Sequence, residues 1–213
     1  MVARIVELKC RCGEVQGKLT GVSPGAFNHA VCYCDDCQAY LHHLGRADLL
    51  DGNGGSDIIQ VAPATLTFQR GVERIVGLRL TPKGLHRWYA SCCNTPVGNT
   101  LTPVLPFVGL LVPAFSSAAS ADGPLGKPEG AMFGKFATGT PPAGATKIDV
   151  RLLLRSVGRV IKWGLAGRAW PNPFFDRATG MPTRPLTVLS RAEREALRPL
   201  CGPQPLAAKS PAL

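Results

Sequence analysis

Residues 32–37 read Cys32-Tyr33-Cys34-Asp35-Asp36-Cys37, and the rest of the chain is best read outward from them. Three sulfurs within six residues can converge on one metal ion. A tetrahedral zinc held by three side chains keeps a fourth position for water or substrate. On the N-terminal side stands Cys10-Arg11-Cys12-Gly13, and on the C-terminal side Ser91-Cys92-Cys93-Asn94-Thr95-Pro96. Seven of the eight cysteines thus fall in three tight clusters, a pattern that a need for small apolar residues does not produce.

Composition narrows the compartment and the class. The chain has 213 residues and is 45% hydrophobic, enough for one sizeable domain with an extension or for two small domains. With 24 Gly and 19 Pro against 7% aromatics, short elements and many turns are favoured over long helices. No apolar run reaches the ~18 residues of a membrane span. The longest, 104–119, is interrupted by Pro106 and Pro113. Glu7 and Lys9 break what would be the apolar region of a signal peptide, so a cytoplasmic location is expected. Thiols stay reduced there, and clustered cysteines point to metal or catalysis rather than disulfides. The formal charge of +10, concentrated late in the chain, permits an anionic partner. No nucleic-acid-binding signature accompanies it, and nucleic acid is not expected.

Periodicity predicts a mainly β chain. Residues 4–9 and 14–20 alternate as a strand pair, and Cys10–Gly13 forms the turn between them. Gly13 lets the backbone bend while Cys10 and Cys12 point at a metal. A short strand, 29–32, runs into the triplet. Asp35 is expected to cap a helix over 38–44. Further strands are expected at 57–61, 65–69, 74–80 and 87–90, antiparallel, with the cysteines at strand ends. Residues 116–146 read as a long connection with room for one strand. From 147 the pattern changes. Val150, Leu153, Leu154, Val157, Ile161 and Leu165 recur at helical spacing opposite Arg151, Arg155, Arg159 and Lys162. The helix is expected to pack its Leu/Val face on the domain with its arginines in water. The alternative is a contact with an anionic membrane surface. Ser190 with Glu193 marks a second, capped helix, and a mobile Pro/Ala tail is expected from 202. The expected division is a zinc-binding domain over 1–145 and a C-terminal extension over 146–213.

The ordered motifs Cys10-Arg11-Cys12-Gly13, Cys32-Tyr33-Cys34-Asp35-Asp36-Cys37 and Trp88-Tyr89-Ala90-Ser91-Cys92-Cys93-Asn94-Thr95-Pro96 resemble those of the glutathione-dependent formaldehyde-activating enzyme family. The resemblance covers roughly residues 5–110. It implies a zinc-bearing β-tent and a carbon–sulfur lyase acting on a thiol such as glutathione and a small aldehyde. It also implies a structural zinc on Cys10, Cys12 and the late knuckle, and a second zinc on Cys32, Cys34 and Cys37. Where the family has the first cysteine of the late knuckle this chain has Ala90, which leaves two arrangements. In one, Cys92 and Cys93 both ligate; in the other, three sulfurs share the ion with some other group.

Two functional readings follow. In the first, the triplet is an open metal site and Asp35, Asp36 or His42 handles the proton. In the second, His29, His42, Asp35 or Asp36 closes the site, and the protein is a non-catalytic zinc-bound scaffold whose basic helix is the contact surface. An iron–sulfur centre is the lesser alternative to zinc. His43, His86 and Cys201 are not assigned a role.

Overall fold

A computed structural model describes residues 4–23, 25–115, 125–146 and 149–203. The stretch 116–124 and the tail 204–213 lie outside the described residues. The chain is mainly β, with two sheets. Its strands are β1 (Arg4–Lys9), β2 (Gln16–Val22), β3 (Asn28–Cys32), β4 (Ser56–Val61), β5 (Leu66–Arg70), β6 (Ile75–Arg79), β7 (His86–Ala90), β8 (Thr95–Thr100), β9 (Val108–Leu111), β10 (Gly130–Met132) and β11 (Leu186–Val188). The helices are α1 (Asp35–His43), α2 (Val112–Phe115), α3 (Val150–Leu165) and α4 (Arg191–Leu197). The smaller sheet runs β1-β2-β5, and the larger runs β10-β3-β4-β9-β8-β7-β6-β11. All pairings are antiparallel except the two outermost of the larger sheet, where β10 joins β3 and β11 joins β6 in parallel.

Alternation along the strands of the larger sheet sorts its side chains to two cores. Ile59, Ile75 and Leu110 turn to one face, where they meet Val6, Leu8 and Leu19 of the smaller sheet. Ile58, Leu78 and Leu111 turn to the other, where Tyr40, Leu41 and Leu44 of α1 lie. Trp88 is fully buried in the first core, and its Nε1–H donates to Thr100 Oγ1 at 2.8 Å. Phe174 stacks on Trp88 with ring centroids 4.9 Å apart, and Phe175 meets it edge-on. Residues 170–189 therefore share this interior: Phe174 and Phe175 fill the first core, and Leu189 packs in the second.

Two sequence expectations are corrected. Helix α1 begins at Asp35, three residues earlier than expected, because Cys34 rather than Asp35 is its N-cap. The orientation of α3 is rotated from that expected. It docks through a mixed face of Leu152, Ser156, Arg159, Val160 and Trp163 and leaves the expected apolar face in solvent: Leu154 is 66% exposed, Ile161 56% and Leu165 88%. The sheet margin on which it lies is polar. Asn28 donates to Gln60 Oε1 at 2.8 Å and accepts from Arg159 Nε at 2.9 Å. Gln60 in turn donates to the Ser156 carbonyl at 3.1 Å, and Arg155 pairs with Glu129. Buried amides need partners, and Arg159 and the Ser156 carbonyl of the helix supply them. On α3 Leu152 alone is buried.

Leu152→Asp is therefore expected to destabilise the protein by roughly 2–4 kcal/mol, since it puts a charge into an apolar contact. Leu154→Asp should leave the melting temperature nearly unchanged. Thermal unfolding of the two variants checks the docking orientation, and equal losses would contradict it.

Candidate metal centres

The first cluster is built from two turns, one from each sheet. Cys10 and Cys12 lie in the β1–β2 turn, and Cys92 and Cys93 in the β7–β8 turn. In the first turn the Cys10 carbonyl accepts from Gly13 N at 2.9 Å, and Val15 N–H points at Cys10 Sγ. Gly13 has φ of 81°, a conformation that suits glycine. In the second turn Cys93 N–H reaches back to the Ala90 carbonyl, and Asn94 takes a positive φ of 53°. This bend brings two adjacent cysteines to the same side, so Cys92 and Cys93 both join Cys10 and Cys12. Arg11 N–H donates to Thr95 Oγ1 at 3.0 Å and ties the turns together.

All four sulfurs lie within 4.8 Å of one another. Cys10–Cys12 is 3.6 Å, Cys10–Cys92 3.9 Å, Cys12–Cys92 3.4 Å and Cys92–Cys93 3.8 Å. Tetrahedral thiolates at a metal–sulfur distance of about 2.3 Å are about 3.8 Å apart. The donor set and its spacing thus fit a four-coordinate ion. Burial pushes the Cys10 and Cys92 thiols up. Burial acts the same way on Cys93, but hydrogen bonds from the Thr95 hydroxyl and the Cys12 backbone outweigh it and bring Cys93 to about 6.

The second cluster sits where β3 gives way to α1. Cys32 is the last residue of β3, and Cys34 caps α1 by accepting from Cys37 N at 3.4 Å. The three sulfurs lie within 4.8 Å of one another, with Cys32 and Cys34 at 3.4 Å. Gln38 holds this loop in place. It is fully buried and donates to the carbonyls of Tyr33 and Phe136, and it accepts from Gly202 N at 2.7 Å. A side chain at position 202 would collide with the Phe136 carbonyl.

The residue that sequence reading missed is Arg87. Its side chain is buried and extends from β7 to within 3.8 Å of Cys37 Sγ. It also donates to Asn99 Oδ1 at 3.3 Å and lies over the Tyr40 ring. A buried guanidinium stays charged and needs a counter-charge. The nearest carboxylate, Asp36, is 3.8 Å away and bonds more closely to Arg194, at 3.0 Å. The sulfurs are the remaining source of negative charge. Three thiolates on a divalent ion carry one net negative charge, which Arg87 would balance. Hydrogen bonds from the Cys32 and Cys34 thiols, and then Arg87, hold Cys37 well below its ordinary range. The signal in the sequence was a single cation inside the otherwise uncharged run of β7, just before the knuckle.

The other expected residues are placed as follows. Asp35 and Asp36 flank the triplet, and both bond to Arg194 of α4. His29 is buried beside Asp57 and the Leu125 carbonyl. His42 and His43 sit in the last turn of α1, at the end away from the sulfurs. Among the described residues, no His, Asp or Glu joins the three sulfurs as a fourth ligand atom within 4.8 Å of all of them.

Residues 2–184 match the model of a family described as a family of unknown function (DUF6151), and the chain belongs to that family. The match runs through both cysteine clusters, α3 and the Phe174–Phe175 pair. No curated protein matches the chain.

Two expectations follow. Cys10→Ser and Cys93→Ser should lower the melting temperature more than Cys34→Ser. The first cluster joins residues 82 apart in sequence, whereas the triplet closes a short loop and serine still caps α1. Arg87→Met should raise the pH at which bound metal is released. Without the positive charge the thiolates are less favoured, and protons compete for them at higher pH. Metal release followed by a chromogenic chelator across a pH series checks this; an unchanged midpoint would show that Arg87 does not support the thiolates.

Proposed function

We propose that Cys32, Cys34 and Cys37 hold a zinc ion as the substrate-binding centre of a carbon–sulfur lyase type of activity on a thiol–aldehyde adduct. This is the activity implied by the resemblance of the three cysteine motifs to glutathione-dependent formaldehyde-activating enzymes. Cys10, Cys12, Cys92 and Cys93 hold a second, structural zinc. The observation that carries the reading is the contrast between the clusters. One offers four sulfurs at tetrahedral spacing, and the other offers three sulfurs beside a buried cation. None of the eight cysteines is joined in a disulfide, so the seven clustered sulfurs are available as ligands.

The reaction is the addition of a thiol to an aldehyde, or its reversal. The S–C bond forms, the carbonyl oxygen takes a proton, and the thiol gives one up. A zinc ion bound at the triplet would favour the thiolate form of the incoming thiol and polarise the carbonyl oxygen. Arg87 contributes fixed positive charge beside the position where anionic sulfur collects. Asp36, half exposed and oriented by Arg194, is the carboxylate placed to carry the proton. Tyr33 holds the far side of the loop through its hydroxyl, which donates to Asp51 at 2.8 Å.

Cobalt substitution gives a direct test. Glutathione titrated into the cobalt-loaded protein should shift its visible bands through a new sulfur ligand, and Cys34→Ser should abolish the shift. Exchange between free and glutathione-bound formaldehyde, followed by NMR, should be faster with the zinc protein than without it. Bands that ignore excess glutathione, with exchange at the uncatalysed rate, would favour the scaffold reading instead.

A further inference from the structure

The feature that the metal chemistry leaves unexplained is the outer face of α3. At about 100° per residue, Val150, Leu153, Leu154, Val157, Ile161 and Leu165 share an apolar arc of roughly 120°. All six are exposed, Val157 least at 47%. The arc runs the length of a 16-residue helix, about 24 Å. The loop before β9 extends it: a side chain at Gly164 would touch Pro106, and nearby Val104 is 75% exposed. An apolar face of this extent marks an interaction site.

The charges along its border narrow the partner. Residues 150–168 contain Arg151, Arg155, Arg159, Lys162 and Arg168 and no carboxylate. Arg151, Arg155 and Lys162 lie just beyond one margin of the arc and are exposed. Arg155 pairs with Glu129; Arg159 is turned inward to Asn28. A second copy packed antiparallel on this face would bring like charges together along the same margin. An apolar face with cations at its rim matches the interface of an anionic bilayer, where apolar side chains enter the acyl boundary and basic stems extend to the phosphates.

We propose that α3 is a membrane-surface anchor whose apolar arc inserts into the interface of an anionic phospholipid bilayer, with Arg151 and Lys162 on the lipid phosphates. Docking through Leu152, Ser156 and Arg159 presets this orientation, because the arc faces outward without any rearrangement of the sheets. α3 crosses the Asn28 end of β3, while Cys32 stands at its other end, about 13 Å along the strand. The triplet is thus held away from the inserted face. No helix among the described residues is long and apolar enough to cross a membrane, so the attachment is peripheral.

Flotation of the zinc-loaded full chain tests this with two kinds of vesicle, phosphatidylcholine alone and phosphatidylcholine mixed with phosphatidylglycerol. Binding is expected only to the anionic vesicles and should weaken as salt rises. Lys162→Gln should weaken it about fivefold, the contribution of one basic residue near an anionic surface. Leu154→Asp should abolish it while the melting temperature stays near that of the parent. Ile161→Ser serves as a second, milder variant and should bind more weakly. Absent binding to anionic vesicles, equal binding to neutral ones, or full binding by Leu154→Asp would overturn the proposal. So would a lipid-free dimer that Leu154→Asp dissociates, since the face would then belong to a second copy.

Discussion

The convergence of Cys10, Cys12, Cys92 and Cys93 is the constraint on which the architecture depends. Each pair sits in a tight turn, and the two turns belong to different sheets. Joining them fixes where the small sheet lies on the large one, and so defines the core that Val6, Leu8, Trp88 and Phe174 fill. An ion there would contribute folding free energy directly, because the unfolded chain has no such site. Even without it, the Arg11–Thr95 bond and the approach of Cys12 Sγ to Cys92 Sγ at 3.4 Å show that the turns are shaped for each other. The adjacent Cys92-Cys93 pair delivers two sulfurs from one turn. The left-handed Asn94 pulls the chain round, so both sulfurs reach one point.

The second cluster uses a different device. Cys34 is at once a candidate ligand and the cap of α1, so the helix start and the sulfur geometry cannot vary independently. Arg87 enters from the centre of the large sheet, and α4 approaches from the opposite end of the chain to hold Asp35 and Asp36 through Arg194. Gln38 adds a third tie, to residues 136 and 202. Segments remote in sequence are thus spent on one six-residue loop. Such investment in a loop is more than a short structural turn requires, and it agrees with a site whose charge and position matter.

Much of this was legible beforehand, and the limits have physical reasons. The cysteine grouping, the early strand pair, most strands up to residue 90 and the Ser190–Glu193 capping box followed from local spacing, and local spacing is what a sequence displays. Arg87 and Gln38 were not legible as site residues, because their importance comes from tertiary neighbours 50 and 98 positions away. The return of Phe174 and Phe175 to Trp88 was hidden for the same reason. Parallel pairing of β10 and β11 was equally invisible, since three-residue strands carry almost no periodic signal.

α3 shows where a sound pattern led to the wrong inference. Amphipathicity reports that apolar and polar side chains are segregated; it does not say which side meets the protein. The usual assumption is that burial of the apolar stripe decides, because that stripe gains most on leaving water. Here the receiving surface carries Asn28 and Gln60, and covering them with leucines would leave Asn28 Oδ1 and the Gln60 side-chain nitrogen without partners, at a cost comparable to the gain. Arg159 and the Ser156 carbonyl satisfy both, and the apolar stripe stays outside. Leu152 is the one buried side chain of α3, so the six outer positions would accept polar residues without structural penalty. Six large apolar side chains in register over four turns therefore imply a second environment in which they are buried, and the cations along one margin indicate that it is anionic.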